Sequence, residues 1–189
     1  MELKEGGSVK QMKTLVIGLG NPFLKDDGIG IHVAAVVAKK LPQDAHVDVV
    51  ELSVGGLTLM EAMIGYELVI ILDAIWSAGG AVGEVVEFTA GDQRSTMNSV
   101  SAHDVDLATA LQLGRQLGAA LPGDESIQII GVTAHEVLDF GDSPTPRVLA
   151  AVPQAARRVL ELLGFSITTD ATGIAAIDDH SSHSNSWRQ

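Results

Sequence analysis

The sequence predicts an α/β protein, a three-layer α/β/α sandwich around a mostly parallel, twisted sheet of about five strands. Three observations carry that prediction. Short aliphatic runs bounded by Gly or Asp alternate with segments of helical period, and right-handed crossovers turn such a βαβαβ order into a parallel sheet with helices on both faces. Hydrophobic residues make up 46% of the chain but aromatic residues only 4%, so the core must be built from Val, Ile, Leu and Ala. The length of 189 residues suits one domain with a well-buried core, and no internal repeat interrupts it.

Each element follows from its own pattern. Lys13 to Leu19 is a short apolar run ending in Gly, as expected of a strand buried on both faces. Gly30 to Leu41 has helical spacing and is closed by Lys39, Lys40 and Pro42. Ala45 to Leu52 alternates enough for a second strand, followed by the Gly55-Gly56 turn. Leu57 to Gly65 is a short helix with glycine at its end. Glu67 to Ala74 carries the strongest strand pattern in the chain. Ala81 to Phe88 is a further strand, and the loop before it is too short for a crossover helix; it is expected to be antiparallel and near an edge. Ser101 to Gly118 is helical, Ser126 to Thr133 a strand, and Thr145 to Leu163 a closing helix. The expected organisation is a flexible extension over residues 1–12, one α/β domain over 13–164, and a disordered polar tail over 165–189. His180 and His183 are read as part of that tail rather than as a metal site.

Composition excludes several classes of function. No apolar stretch approaches the roughly 18–20 residues that span a bilayer, and the most apolar window, Leu68 to Trp76, contains Asp73. The first residues lack the apolar segment of a secretory signal, so a soluble, cytoplasmic protein is expected. The formal net charge of −12 repels phosphate backbones, and the basic pairs Lys39-Lys40 and Arg157-Arg158 fit solvated helix faces. With no cysteine there is no thiol nucleophile, disulfide or thiolate metal site.

The chemistry concentrates in LVIGLGNPFLKDDGIG, Leu15 to Gly30. Gly18 and Gly20 fit the first two glycines of a dinucleotide cradle, but Phe23 occupies the third position, and no Gly-Lys-Ser/Thr follows. Asp26 and Asp27 would also repel a pyrophosphate. What remains is a loop at the C-terminal end of a parallel strand, where open α/β sheets place their active sites. For both carboxylates, capping of the following helix is an alternative use. Asp73 ends the strongest strand at the same side, where a carboxylate is costly to bury without a partner, or else it shapes a turn. His103 sits in SVSAHDVDL, with Ser101 and Asp104 spaced like a capping box. In a helix's first turn the dipole favours neutral imidazole, the form that ligates metal; an ordinary surface histidine is the alternative. This topology puts Asp27, Asp73 and His103 at one sheet edge. Two carboxylates and one imidazole suit Ni²⁺, Zn²⁺ or Fe²⁺ and leave coordination positions open.

GLGNPFLKDDGIG, ILDAI and SAHDVDL, in this order, resemble the hydrogenase maturation proteases, over about residues 13–163. The resemblance implies a phosphorylase/hydrolase-like α/β/α domain and an endopeptidase that removes a short C-terminal peptide from the nickel-loaded large subunit of a nickel-iron hydrogenase. It also implies a metal-contacting trio, which maps to Asp27, Asp73 and His103, with Asp26 open between a second site carboxylate and a helix cap. In that picture the trio reads nickel in the substrate, and the free enzyme is metal-free or holds a divalent metal adventitiously. The residues leave the chemistry open between an aspartic-type carboxylate activating water and metal polarisation of the scissile carbonyl. There is no G-x-S-x-G, and His135-Glu136 lacks the second His of a zinc-protease motif. Gly18 to Pro22 is also similar to the peptidyl-tRNA hydrolases, but the segment that carries their catalytic His is absent and the charge disfavours a tRNA ligand. A nickel-recognising accessory protein that does not cut is the non-enzymatic alternative.

Overall fold

The structure, a computed structural model, describes residues 12–77, 81–93, 99–100, 107–169 and 175–178. β1 (Thr14–Leu19) is buried at every position, as its unbroken apolar run requires. It lies between two parallel neighbours, β2 (Val47–Leu52) and β3 (Leu68–Ser77). β3 pairs in parallel with β6 (Ile127–Ala134), and β4 (Val85–Thr89) closes the far edge antiparallel to β6. The sheet order is therefore β2-β1-β3-β6-β4, with β5 (Ser99–Val100) added antiparallel to the end of β3. The antiparallel edge strand expected from the short preceding loop is where the sequence puts it.

The pleat divides the core in two. Val16, Ile70, Leu72 and Ile130 point to the face covered by α1 (Ile29–Lys40) and α6 (Val152–Leu162), meeting Val33, Val37, Ala156 and Val159. Leu15, Ile17, Val69 and Ile71 point to the face covered by α2 (Gly56–Ala62) and α4 (Leu107–Gln116), meeting Leu59, Met63 and Leu111. Each fully buried aliphatic side chain contributes about 1.5–3 kcal/mol. The alternation of two apolar sets along single strands is what fixes a three-layer fold. A short α3 (Ala90–Gln93) follows β4.

Three expectations change. β3 does not end at Ala74; it runs to Ser77, because Ile75 and Trp76 continue to pair with Thr133 and Ala134 after β1 has ended. Asp73 is thus inside a strand, opposite Gly131, although it lies one residue beyond the last pairing with β1, Gly18 with Leu72. The closing helix is two pieces, α5 (Pro146–Leu149) and α6, each with a proline in its first turn. Pro153 has no N–H to give to the carbonyl of Leu149, so a continuous helix breaks there. Where composition alone indicated a polar tail, β7 (Ser166–Thr169) and β8 (Ala175–Asp178) pair antiparallel with Ile167 opposite Ile177. Residues 1–11, His103, His180 and His183 lie outside the described residues. Of the two basic pairs, Arg158 is engaged rather than simply solvated: it meets Glu87 at 2.5 Å and Glu161 at 3.2 Å, tying α6 to β4. Those two carboxylates, Glu87 foremost, hold its guanidinium above its ordinary pKa.

Candidate active site

The β1–α1 loop is folded by its own polar groups. The Asn21 side chain accepts from the Phe23 amide at 3.0 Å, while the Leu24 amide donates to the Asn21 carbonyl at 3.0 Å, a tight turn over Pro22. Gly20 has φ +136°, and a β-carbon there would lie 1.9 Å from the Asp27 carbonyl oxygen, so only glycine lets the chain double back this closely. The loop closes when the Asn21 amide donates to Asp27 Oδ2 at 2.6 Å. Neither α1 nor the single 3-10 turn at Asp26–Gly28 has a side-chain cap, so the capping alternative fails for both aspartates.

The two carboxylates have different uses. Asp26, 1% exposed, accepts from the Thr145 amide at 2.7 Å and the Glu136 amide at 3.3 Å. It is a clasp between the β1–α1 loop and the long loop after β6. Beside it, Lys25 Nζ meets Glu136 Oε2 at 2.8 Å and Asp139 at 3.7 Å. The hydrogen bond and charge of Glu136 raise the Lys25 ammonium above its usual value, Asp139 adding to the effect. Main-chain bonds run in parallel, from the Lys25 amide to the Asp139 carbonyl at 2.9 Å and from the Gly141 amide to the Phe23 carbonyl at 3.1 Å. A cavity of about 500 Å³ opens beside this seam, with Asp26, His135, Glu136, Thr145 and Arg147 among its walls.

Removing the clasp has a defined expected result. Asp26→Ala leaves two inward amides without their acceptor and should destabilise the fold by about 2–4 kcal/mol. For a chain of this size that lowers the melting temperature by roughly 5–15 °C. A circular-dichroism melt reads it, with limited proteolysis of residues 136–145 reporting whether the loop is released. A melting point within about 2 °C of the wild type would mean that the clasp contributes nothing.

Asp27 and Asp73 are carried by neighbouring elements. The Asp26–Gly28 turn packs against β3, and Asp73 follows the last β1 pairing on that strand. Asp27 and Asp73 are both buried, and Asp73 Oδ1 accepts from the Ala74 amide at 2.8 Å. Asp73 is on the face of Ile71, the face that α4 covers, and Leu107 at the start of α4 is buried there. Among the described residues no three His, Asp or Glu side chains are grouped to hold a metal ion. Apart from the His135-Glu136 pair, no local pattern marks the loop after β6 as part of this region.

A family model described as hydrogenase maturation protease matches residues 31–162. The chain belongs to the hydrogenase maturation protease family. A curated relative, the hydrogenase 2 maturation protease of Escherichia coli, is 27% identical over 173 residues, covering 91% of this chain and 99% of its own. The solved hydrogenase-maturating endopeptidase HybD of E. coli superposes with a TM-score of 0.70 at 27% identity, covering 81% of this chain and 93% of that one. The [NiFe] hydrogenase maturation protease HybD of Thermococcus kodakarensis gives a TM-score of 0.65 at 31% identity, covering 80% and 99%. As a member of the hydrogenase maturation proteases, the chain is a hydrolase that acts on a peptide bond. The family match leaves the peptidyl-tRNA hydrolase reading of Gly18 to Pro22 without support. No helix among the described residues is long and apolar enough to cross a membrane.

Proposed function

We propose that this maturation protease removes a short C-terminal peptide from the nickel-loaded large-subunit precursor of a nickel-iron hydrogenase, in the cytoplasm. In this reading Asp27, Asp73 and His103 complete the coordination of a nickel ion that the precursor brings. The observation that carries it is the pair of buried carboxylates, Asp27 and Asp73, where β1 and β3 meet at the C-terminal sheet edge. Carboxylate oxygens with one imidazole suit a divalent first-row metal. Val100 pairs with Trp76, three residues past Asp73, and Leu107 is buried beside the strands.

The residues have separable tasks. Asp27 and Asp73 attract the cation and align the precursor; Asp26 and the loop after β6 keep Asp27 in place. Proton removal from the attacking water then falls to a carboxylate, or nickel polarises the scissile carbonyl. The test is the mass of a nickel-loaded precursor before and after incubation with the protein. A loss equal to its C-terminal extension is expected, with no loss from nickel-free precursor. An unchanged mass in the nickel-loaded sample would overturn the proposal in favour of a non-cutting accessory role.

A further inference from the structure

Phe23, Leu138 and Phe140 are 72%, 79% and 84% exposed. Two of them are among the chain's four phenylalanines, and such exposure is a costly arrangement unless something covers them. They sit on two loops that are joined by main-chain bonds. Leu24 and Phe140 form an antiparallel bridge, and the flanking amides of Lys25 and Gly141 bond across the same seam. The Asp26 clasp and the Lys25–Glu136 pair hold the two loop tips from beneath. The apolar groups are therefore presented on a braced backbone, which lowers the ordering cost of binding. Phe23 is four residues ahead of Asp27, on the loop that carries that carboxylate.

We propose that the Phe23–Leu138–Phe140 platform docks the body of the large-subunit precursor and so delivers its C-terminal segment to Asp27. The proposal rests on the precursor being the substrate. An endopeptidase acting on a protein must seat the polypeptide around the bond it cuts, and Phe23 shares its loop with Asp27. Its rim is acidic, with Glu136, Asp139 and Asp142 against Lys25, which complements an apolar surface edged by basic residues. Exposed aromatics at the centre of such a patch are the side chains that dominate interface energies.

The experiment compares wild type, the double variant Phe23→Ser/Phe140→Ser, and Leu117→Ser. Leu117 is 77% exposed and lies at the opposite end of α4, so it controls for the loss of an exposed apolar group. Cleavage of nickel-loaded precursor gives KM and kcat, and surface-immobilised precursor gives Kd. The double variant should raise KM and Kd by roughly tenfold or more, with kcat within about twofold; Leu117→Ser should change neither. An unchanged KM in a wild-type background that cuts would overturn the platform. So would a wild-type dimer that the double variant dissociates without any change in KM, since the patch would then join two copies. If wild type binds but does not cut, the assigned activity fails, while the Kd ratio still decides the platform.

Discussion

Asp27→Asn is expected to slow removal of the precursor's C-terminal peptide by roughly 100-fold or more, with the folded state intact. Asparagine has nearly the same shape, and its side-chain oxygen still receives the Asn21 amide that Asp27 accepts at 2.6 Å. What it loses is the negative charge, and both proposed tasks of this side chain need that charge. A neutral amide is a poor partner for a divalent cation and cannot take a proton from water. The expected stability change is small because the carboxylate caps neither α1 nor the turn before it. A mass-resolved time course and a thermal melt, run on the same preparation, separate the outcomes. Processing at the wild-type rate would show that Asp27 only closes the loop. A melting point lowered by more than about 5 °C would show that its charge serves the fold.

The contrast with Asp26 shows what the sequence could and could not reveal. Adjacent aspartates before a helix invite one explanation for both, either caps or ligands. The structure separates them by partners that are remote in sequence: Asp26 reaches the amides of Glu136 and Thr145. No local pattern encodes a bond from a carboxylate to a backbone amide more than a hundred residues away. β1 and β3, by contrast, were legible because strands buried on both faces read as unbroken aliphatic runs. The same rule misplaced the end of β3. Asp73 interrupts the run, yet pairing with β6 carries the strand past it to Ser77. A polar residue inside a continuous buried strand is where local reading fails and where a site is to be sought. The break between α5 and α6 was written in the sequence as Pro153, whose effect depends only on the residue four before it.

Gly30→Ala is expected to be among the most damaging single-methyl changes in the protein, destabilising it by about 3–5 kcal/mol. A β-carbon at Gly30 would lie 2.1 Å from the Leu72 carbonyl oxygen and 2.3 Å from that of Leu19. Both obstacles are main-chain atoms, one at the end of β1 and one where β3 last pairs with β1, so no side-chain rotation relieves the clash. α1 would have to lift away from β1 and β3. That opens the core in which Ile29, Val33 and Val37 meet Val16, Ile70 and Leu72. Gly123→Ala is the control: nothing lies within 4 Å of a β-carbon there, and its φ of −65° suits any residue. That change should stay within about 0.5 kcal/mol of wild type. Melting curves of the two variants decide the matter, and equal melting points would refute the close helix–strand approach. The consequence reaches the chemistry, because Asp27 is three residues ahead of Gly30 on the same turn. Lifting α1 draws the Asp26–Gly28 turn away from β3, the strand that carries Asp73, so Gly30→Ala protein that remains folded at low temperature should also process the precursor poorly. The glycines of this loop thus serve a packing need shared with nucleotide folds, close approach of helix to strand, while under the proposed function Asp27 beside them calls for a ligand of the opposite sign.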